Sequence, residues 1–262
     1  MAKNDHAITL EAQGRYAEAE GLCREALEID RATIGEGYPS YAIRLNNLAN
    51  VVRAQGRYAE AEELFREALE IDREGLGEGH PGYAIDLNNL AGVVEDQGRY
   101  AEAEALYREA LEIGRATIGE GHPEYATRLN NLSGVVQAQG RYAEAEGLFR
   151  EALEIDRATI GEGHPDYAIN LNNLAVVVQA QGRYAEAEGL YREAVEIDRA
   201  TIGEGHPNYA IHLSNLAGVL VKQGKSEAAR PLYGQAFEIF RATLPPDHPH
   251  IGVVEGHIAD LP

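Results

Sequence analysis

The sequence is poor in the residues that staple small or secreted proteins: it has one cysteine, Cys23, in 262 residues. A lone thiol forms no internal disulfide and builds no cysteine-rich zinc site. Basic residues are scarce too. Lys and Arg number 23 against 43 Asp and Glu, a formal charge of −20 with a sequence pI near 4.8. Polyanions are repelled on average by such a chain, so neither nucleic acid nor an anionic membrane surface is an expected partner. Long apolar runs are also missing. Glu or Arg interrupts every helical stretch within a few positions, well short of the roughly 18 apolar residues that a membrane span needs. The opening MAKNDHAITLEAQGRY lacks the basic-then-apolar layout of a signal peptide, and the expected setting is reducing and cytoplasmic.

Catalytic signatures are absent as well: there is no phosphate loop, no GxSxG elbow and no HExxH. The abundant carboxylates recur with one fixed period, and periodic residues report architecture before chemistry. The expectation is therefore no enzyme, no cofactor and no metal.

What is present is repetition. Gln-Gly recurs at Gly14, Gly56, Gly98, Gly140, Gly182 and Gly224, each 42 residues after the last, and five of the six copies continue as GRYAEAE. Within one unit, Leu45, Leu48, Ala49 and Val52 fall on one stripe of a helix, helix A. Ala61, Leu64, Phe65, Ala68 and Ile71 form the stripe of a second, helix B. Gly56 can end helix A in a left-handed backbone, Gly77 can do the same after helix B, and Pro81 suits the first turn of the next helix A. A single pair is too thin to enclose its own apolar stripe, so neighbours must stack and share a core. The predicted fold is all-α, an α-solenoid of antiparallel helix pairs. It is read as a single array over 1–262, with a shortened first helix at 1–13, helix A/B pairs over 39–244, and a terminal half-repeat or capping helix at 248–262.

These motifs, exemplified by Ile160 to Ala175 and Gln139 to Ile155, resemble the tetratricopeptide repeat family, and in particular its 42-residue kinesin-light-chain-like subclass. The resemblance implies a right-handed superhelix whose concave side is lined by helix A, and a non-enzymatic role in binding peptide segments. The sequence carries no heptad region of the kind that joins kinesin light chains to a heavy chain, so a motor-adaptor role is not expected. In that family, basic residues stand four positions ahead of some groove asparagines. Here those positions are Ile43, Ile85, Thr127, Ile169 and Ile211, which removes the basis for a preference for acidic ligands.

A helical wheel with Leu45, Leu48 and Val52 turned inward leaves Ile43, Asn47, Asn50 and Ala54 on the opposite side of helix A. Later copies place Ile85, Asn89, Gly92 and Asp96, then Thr127, Asn131, Gly134 and Ala138, then Ile169, Asn173, Val176 and Ala180, then Ile211, Asn215, Gly218 and Lys222 there. A carboxamide both donates and accepts, so a row of asparagines suits the backbone of an extended peptide. Candidate peptide-binding residues are thus Asn47, Asn89, Asn131, Asn173, Asn215, Asn50, Ile43, Ile85, Ile169 and Ile211. Their neighbours Asn46, Asn88, Asn130 and Asn172 lie on the flank, where contact between repeats is expected.

The acidic excess, as in Glu60, Glu62, Glu63, Glu67, Glu70, Asp72, Glu74 and Glu78, is expected on a solvated outer face, with Glu62 and Arg66 spaced for an i, i+4 pair. The histidines His80, His122, His164, His206 and His248 occur one per loop. Stacked helices about 10 Å apart cannot bring them to one ion, so capping the loop is their expected role. Cys23 fills the slot held by Phe65, Tyr107, Phe149, Tyr191 and Tyr233 elsewhere and is expected in the core. Two other functional readings stay open: a homo-oligomeric scaffold assembled by end-to-end stacking, and a regulatory or sensor arm of a larger enzyme or signalling protein.

Overall fold

A computed structural model describes Leu10, Arg15–Pro246 and His248–Leu261. Among these residues the chain forms twelve helices and no strand. They are α1 (Tyr16–Thr33), α2 (Pro39–Ala54), α3 (Tyr58–Gly75), α4 (Pro81–Asp96), α5 (Tyr100–Thr117), α6 (Pro123–Ala138), α7 (Tyr142–Thr159), α8 (Pro165–Ala180), α9 (Tyr184–Thr201), α10 (Pro207–Lys222), α11 (Ser226–Thr243) and α12 (Pro249–Ala259). Even numbers are the expected helices A and odd numbers the helices B. The chain divides into two compact units, Met1–Glu120 with α1 to α5 and Gly121–Pro262 with α6 to α12. Inside each unit every helix packs against its neighbours in sequence. The shortened first helix expected at 1–13 lies outside the described residues apart from Leu10, which is buried.

The two turn types follow from glycine. Gly56 takes φ 77°, so its N–H reaches the Arg53 carbonyl at 2.8 Å and the Arg57 N–H reaches the Val52 carbonyl at 3.2 Å. That closes α2 tightly and turns the chain into α3. Gly77, at φ 89°, donates to the Asp72 carbonyl at 3.1 Å and accepts from the His80 N–H at 3.1 Å. His80 then caps α4: its Nδ1 accepts from the Gly82 N–H at 3.0 Å, while Pro81 occupies the first turn, where no N–H is required. His122, His164, His206 and His248 repeat the same cap, which is the role expected of the loop histidines. Before α12, Leu244 is extended and Pro245-Pro246 replaces the glycine turn.

The core is built as the periodicity requires. In the second repeat Tyr83, Ala84, Leu87, Leu90, Ala91, Val93 and Val94 of α4 are buried against Ala103, Tyr107, Ala110 and Leu111 of α5. Alanines on helix B let backbones approach closely, and each fully buried Leu or Val removes apolar surface worth about 1.5–3 kcal/mol. Cys23 is buried in the expected slot.

The repeated Q-G-R-Y-A-E-A-E string has a mechanical meaning. The second glutamate of one repeat, Glu62, accepts from Gln97 Nε2 at 2.7 Å, from Arg99 Nη1 at 2.8 Å and from Arg66 at 2.6 Å. The turn of one repeat is thereby pinned to helix B of the previous one. Glu20 receives Gln55 and Arg57 in the same way, and Glu146 receives Gln181 and Arg183. In the drifted last copy Lys225 substitutes for the arginine and holds Glu188 at 2.9 Å.

Candidate functional site

The outward side of helix A carries the residues that the wheel put there. Ile43 and Ile85 are 55% and 46% exposed, Ile169 and Ile211 are half-buried, and Asn47, Asn50, Asn89, Asn131, Asn173 and Asn215 are all half-buried. Half-burial fits a row of side chains standing between neighbouring helices A with one edge open. The flanking asparagines bridge repeats as expected: Asn46 Nδ2 donates to Asp86 Oδ1 at 2.6 Å. Asn215 of the outward row shares that duty, its Nδ2 donating to Asn172 Oδ1 at 2.9 Å.

One outward position differs from expectation. Gly92 is buried beneath Arg53, whose Nη2 donates to the Gly92 carbonyl at 3.2 Å and whose Nε donates to Asp96 Oδ2 at 2.5 Å. A methyl group at Gly92 would approach the Arg53 guanidinium to 2.9 Å. Gly92 is therefore a seat for an arginine, and the first unit presents an ion pair there instead of an open floor.

In the second unit two cavities open along this side. One of about 380 Å³ is bounded by Val176, Gln179, Asn215, Gly218, Lys222 and the two tyrosines Tyr191 and Tyr233. Burial pushes both phenols up, and the His257 ring of α12 leans on Tyr233 at 5.2 Å between centroids. The other, of about 370 Å³, is bounded by Thr127, Asn130, Asn131, Asp156, Asp166, Ile169, Asn170 and Asn173.

Behind the row runs a polar slot that sequence reasoning missed. The residue following each outward Ile or Thr is Arg44, Asp86, Arg128, Asn170 or His212. Arg44 Nε pairs with Asp30 Oδ2 at 3.0 Å, Asn170 Nδ2 donates to Asp156 Oδ2 at 2.5 Å, and His212 Nδ1 lies 2.8 Å from Asp198 Oδ2. In the second repeat the pair is two acids. Burial raises the carboxyls of both Asp72 and Asp86, and their mutual repulsion raises Asp86 further against the hydrogen bond from Asn46. Asp72 is thus not on the solvated outer face: it continues the buried stripe of Phe65 and Ala68 at helical spacing and is 5% exposed. Arg128 is 4% exposed, with Nη1 unpartnered and only Glu124 nearby at 3.8 Å. Burial lowers its pKa. The signal was available, because residue 86 shares its stripe with the apolar Tyr83, Leu90 and Val93.

Paired amphipathic helices that stack within each unit, with an open polar edge, define a helical-repeat interaction protein. Matches to the family model of the tetratricopeptide repeat run over residues 1–74, 45–116, 83–158, 129–200 and 166–242, and the chain belongs to that family. Among solved structures, BtubC from P. vanneervenii is similar at 25% identity with a TM-score of 0.69, over 92% of this chain and 94% of that one. A kinesin light chain-like protein of Podosopora anserina with nearly identical TPR-like repeats is similar at 26% identity, TM-score 0.67, over 79% and 98%. The quorum sensor NprR from B. thuringiensis shares the fold at 15% identity, TM-score 0.70, over 97% and 68%. No match is found among the curated proteins. Among the described residues, no helix is long and apolar enough to cross a membrane, and no three metal-ligating side chains are placed to hold an ion.

Proposed function

We propose that this tetratricopeptide protein binds an extended segment of a partner protein along the outward side of its helices A, with the asparagines holding peptide backbone and Ile43, Ile85, Ile169 and Ile211 meeting side chains. The observation that carries the reading is the coincidence of these two cavities with the outward positions: Val176, Asn215, Gly218 and Lys222 bound one, and Thr127, Asn131, Ile169 and Asn173 the other. Ligand sites are concave, with apolar walls and a few convergent polar groups, which is what these cavities offer. A partner laid there buries surface without requiring any change in the repeats.

The test is selection from a random peptide display library on the intact protein and on the Asn89→Ala, Asn131→Ala, Asn173→Ala variant, with helicity checked by circular dichroism. A consensus that is lost in the variant is the expected result. Binding that ignores the three substitutions, or no binding at all, refutes the reading. In the latter case, mass that grows with concentration would point instead to assembly of copies.

A further inference from the structure

The cavity of about 370 Å³ has an electrostatic character that the carboxamide row does not explain. No lysine or arginine lines it, and its only ionisable groups are the carboxyls of Asp156 and Asp166. Asn130 Oδ1, on α6, is buried and makes no hydrogen bond. Asp156, on α7, is 4% exposed, and its Oδ2 accepts from Asn170 of α8. Burial pushes the Asp156 carboxyl up, the bond from Asn170 opposes this, neighbouring Asp166 adds to it and His164 offsets it. Asp166 stands at the rim, 69% exposed, 3.6 Å from His164 Nδ1. The remaining wall includes the apolar Ile160 and Ile169.

A buried acceptor without a donor costs free energy, and a buried carboxylate without a nearby cation costs more. Both are relieved by one kind of side chain. We propose that this cavity is the socket for an arginine of the bound peptide, its guanidinium meeting Asn130 Oδ1, Asp156 and Asp166 while its methylenes lie on Ile160 and Ile169. The assignment rests on the groove reading above and names the ligand chemistry for it. Arginine fits better than lysine because a planar fork of five N–H donors can serve several acceptors at once, whereas an ammonium is a single point. The overall charge of −20 favours the same sign of ligand.

The test compares library pools selected on the intact protein and on three full-length variants. Asp166→Lys reverses the rim charge, and Asp156→Asn removes the buried one. Glu151→Lys changes the net charge as much as Asp166→Lys does, but on the exposed side of α7 away from the cavity. Peptides from the first pool are then resynthesised with Arg, Lys or Glu at the enriched position and their Kd measured by fluorescence polarisation. The expected result is one position enriched in Arg over Lys, an affinity about tenfold weaker on Asp166→Lys and on Asp156→Asn, and little change on Glu151→Lys. A consensus without a basic position overturns the socket and leaves the groove reading standing. Enrichment that survives both aspartate changes, or falls equally on Glu151→Lys, overturns it as well, the latter assigning the attraction to the general field. An empty pool overturns both readings. Asp166→Lys lies at an exposed rim, so the outcome does not depend on Asp156→Asn folding well.

Discussion

At the scale of single residues, the informative positions are those where a near-identical repeat breaks its own pattern in the buried polar slot. Asp86 and Asp72 place two carboxyls where the first repeat has Arg44 and Asp30. Asp86 is raised from 3.8 to about 7 by burial and by Asp72. A carboxyl raised in the folded state binds its proton more tightly there than in the unfolded chain. Its contribution is present below 3.8 and is lost as pH rises through about 7. Asp86→Asn keeps the acceptor for Asn46 and removes that loss. The unfolding free energy of the variant should match the parent's below pH 4 and exceed it increasingly up to pH 7, by of the order of 4 kcal/mol at pH 8. A constant difference across that range would show that the pair is not titrating. Arg128 gives the opposite case, a buried cation with no partner closer than 3.8 Å. Arg128→Met should raise stability by about 1–3 kcal/mol, since an unpaired buried charge costs more than an apolar side chain of similar size. At the paired site Arg44→Met should lower stability by a similar amount by stranding Asp30. Urea titrations of the two variants must move in opposite directions if pairing is what matters.

At the scale of elements, the helices were legible because their causes are local. Gly56 and Gly77 mark the turns, Pro81 and His80 mark a start, and the apolar stripes of α2 and α3 follow the helical period repeat after repeat. The joint between repeats was less legible, since its partners lie 35 to 37 residues apart: Gln97 and Arg99 reach back to Glu62, a contact that no wheel of one helix displays. Glu20 shows the strength of the joint. Burial acts to raise its carboxyl, but hydrogen bonds from Gln55, Arg24 and Arg57 overcome that and hold it at about 2, against 4.5 ordinarily. A lowered carboxyl stabilises the fold above its ordinary value, and that contribution disappears as pH falls from 4.5 to about 2. Glu20→Gln should therefore lower the melting temperature at pH 7 and flatten its decline between pH 5 and pH 2, followed by circular dichroism. An unchanged acid slope would mean that the joint is held by packing alone. Gly98, at φ 76°, leaves the same joint no freedom: Gly98→Ala forces a methyl into a left-handed backbone and should cost about 1–2 kcal/mol.

At the scale of the whole molecule, the outward row of the candidate site could be read from sequence because residues facing away from a core inherit its period. What lies among and behind that row could not. Arg53 crosses to Asp96 and covers Gly92 only because α2 and α4 stand side by side, and Asp156 faces Asn170 only because α7 and α8 do. Burying charge also runs against the hydrophobic pattern that makes helices legible in the first place. The charge of the chain, by contrast, is plain from composition, and it predicts how a basic peptide arrives. With −20 distributed over the molecule, attraction beyond the contact surface acts on the approach, while the socket acts on the bound state. Stopped-flow binding of an arginine-bearing peptide should therefore show an association rate that falls several-fold as salt is raised and the Debye length shrinks from about 10 Å to about 3 Å, with dissociation nearly constant. Glu151→Lys should slow association slightly and leave dissociation alone. Asp166→Lys should slow association and speed dissociation, its larger effect falling on dissociation. If the two variants behave identically in both phases, the arginine is held by the field of the molecule and not by the cavity between α6, α7 and α8.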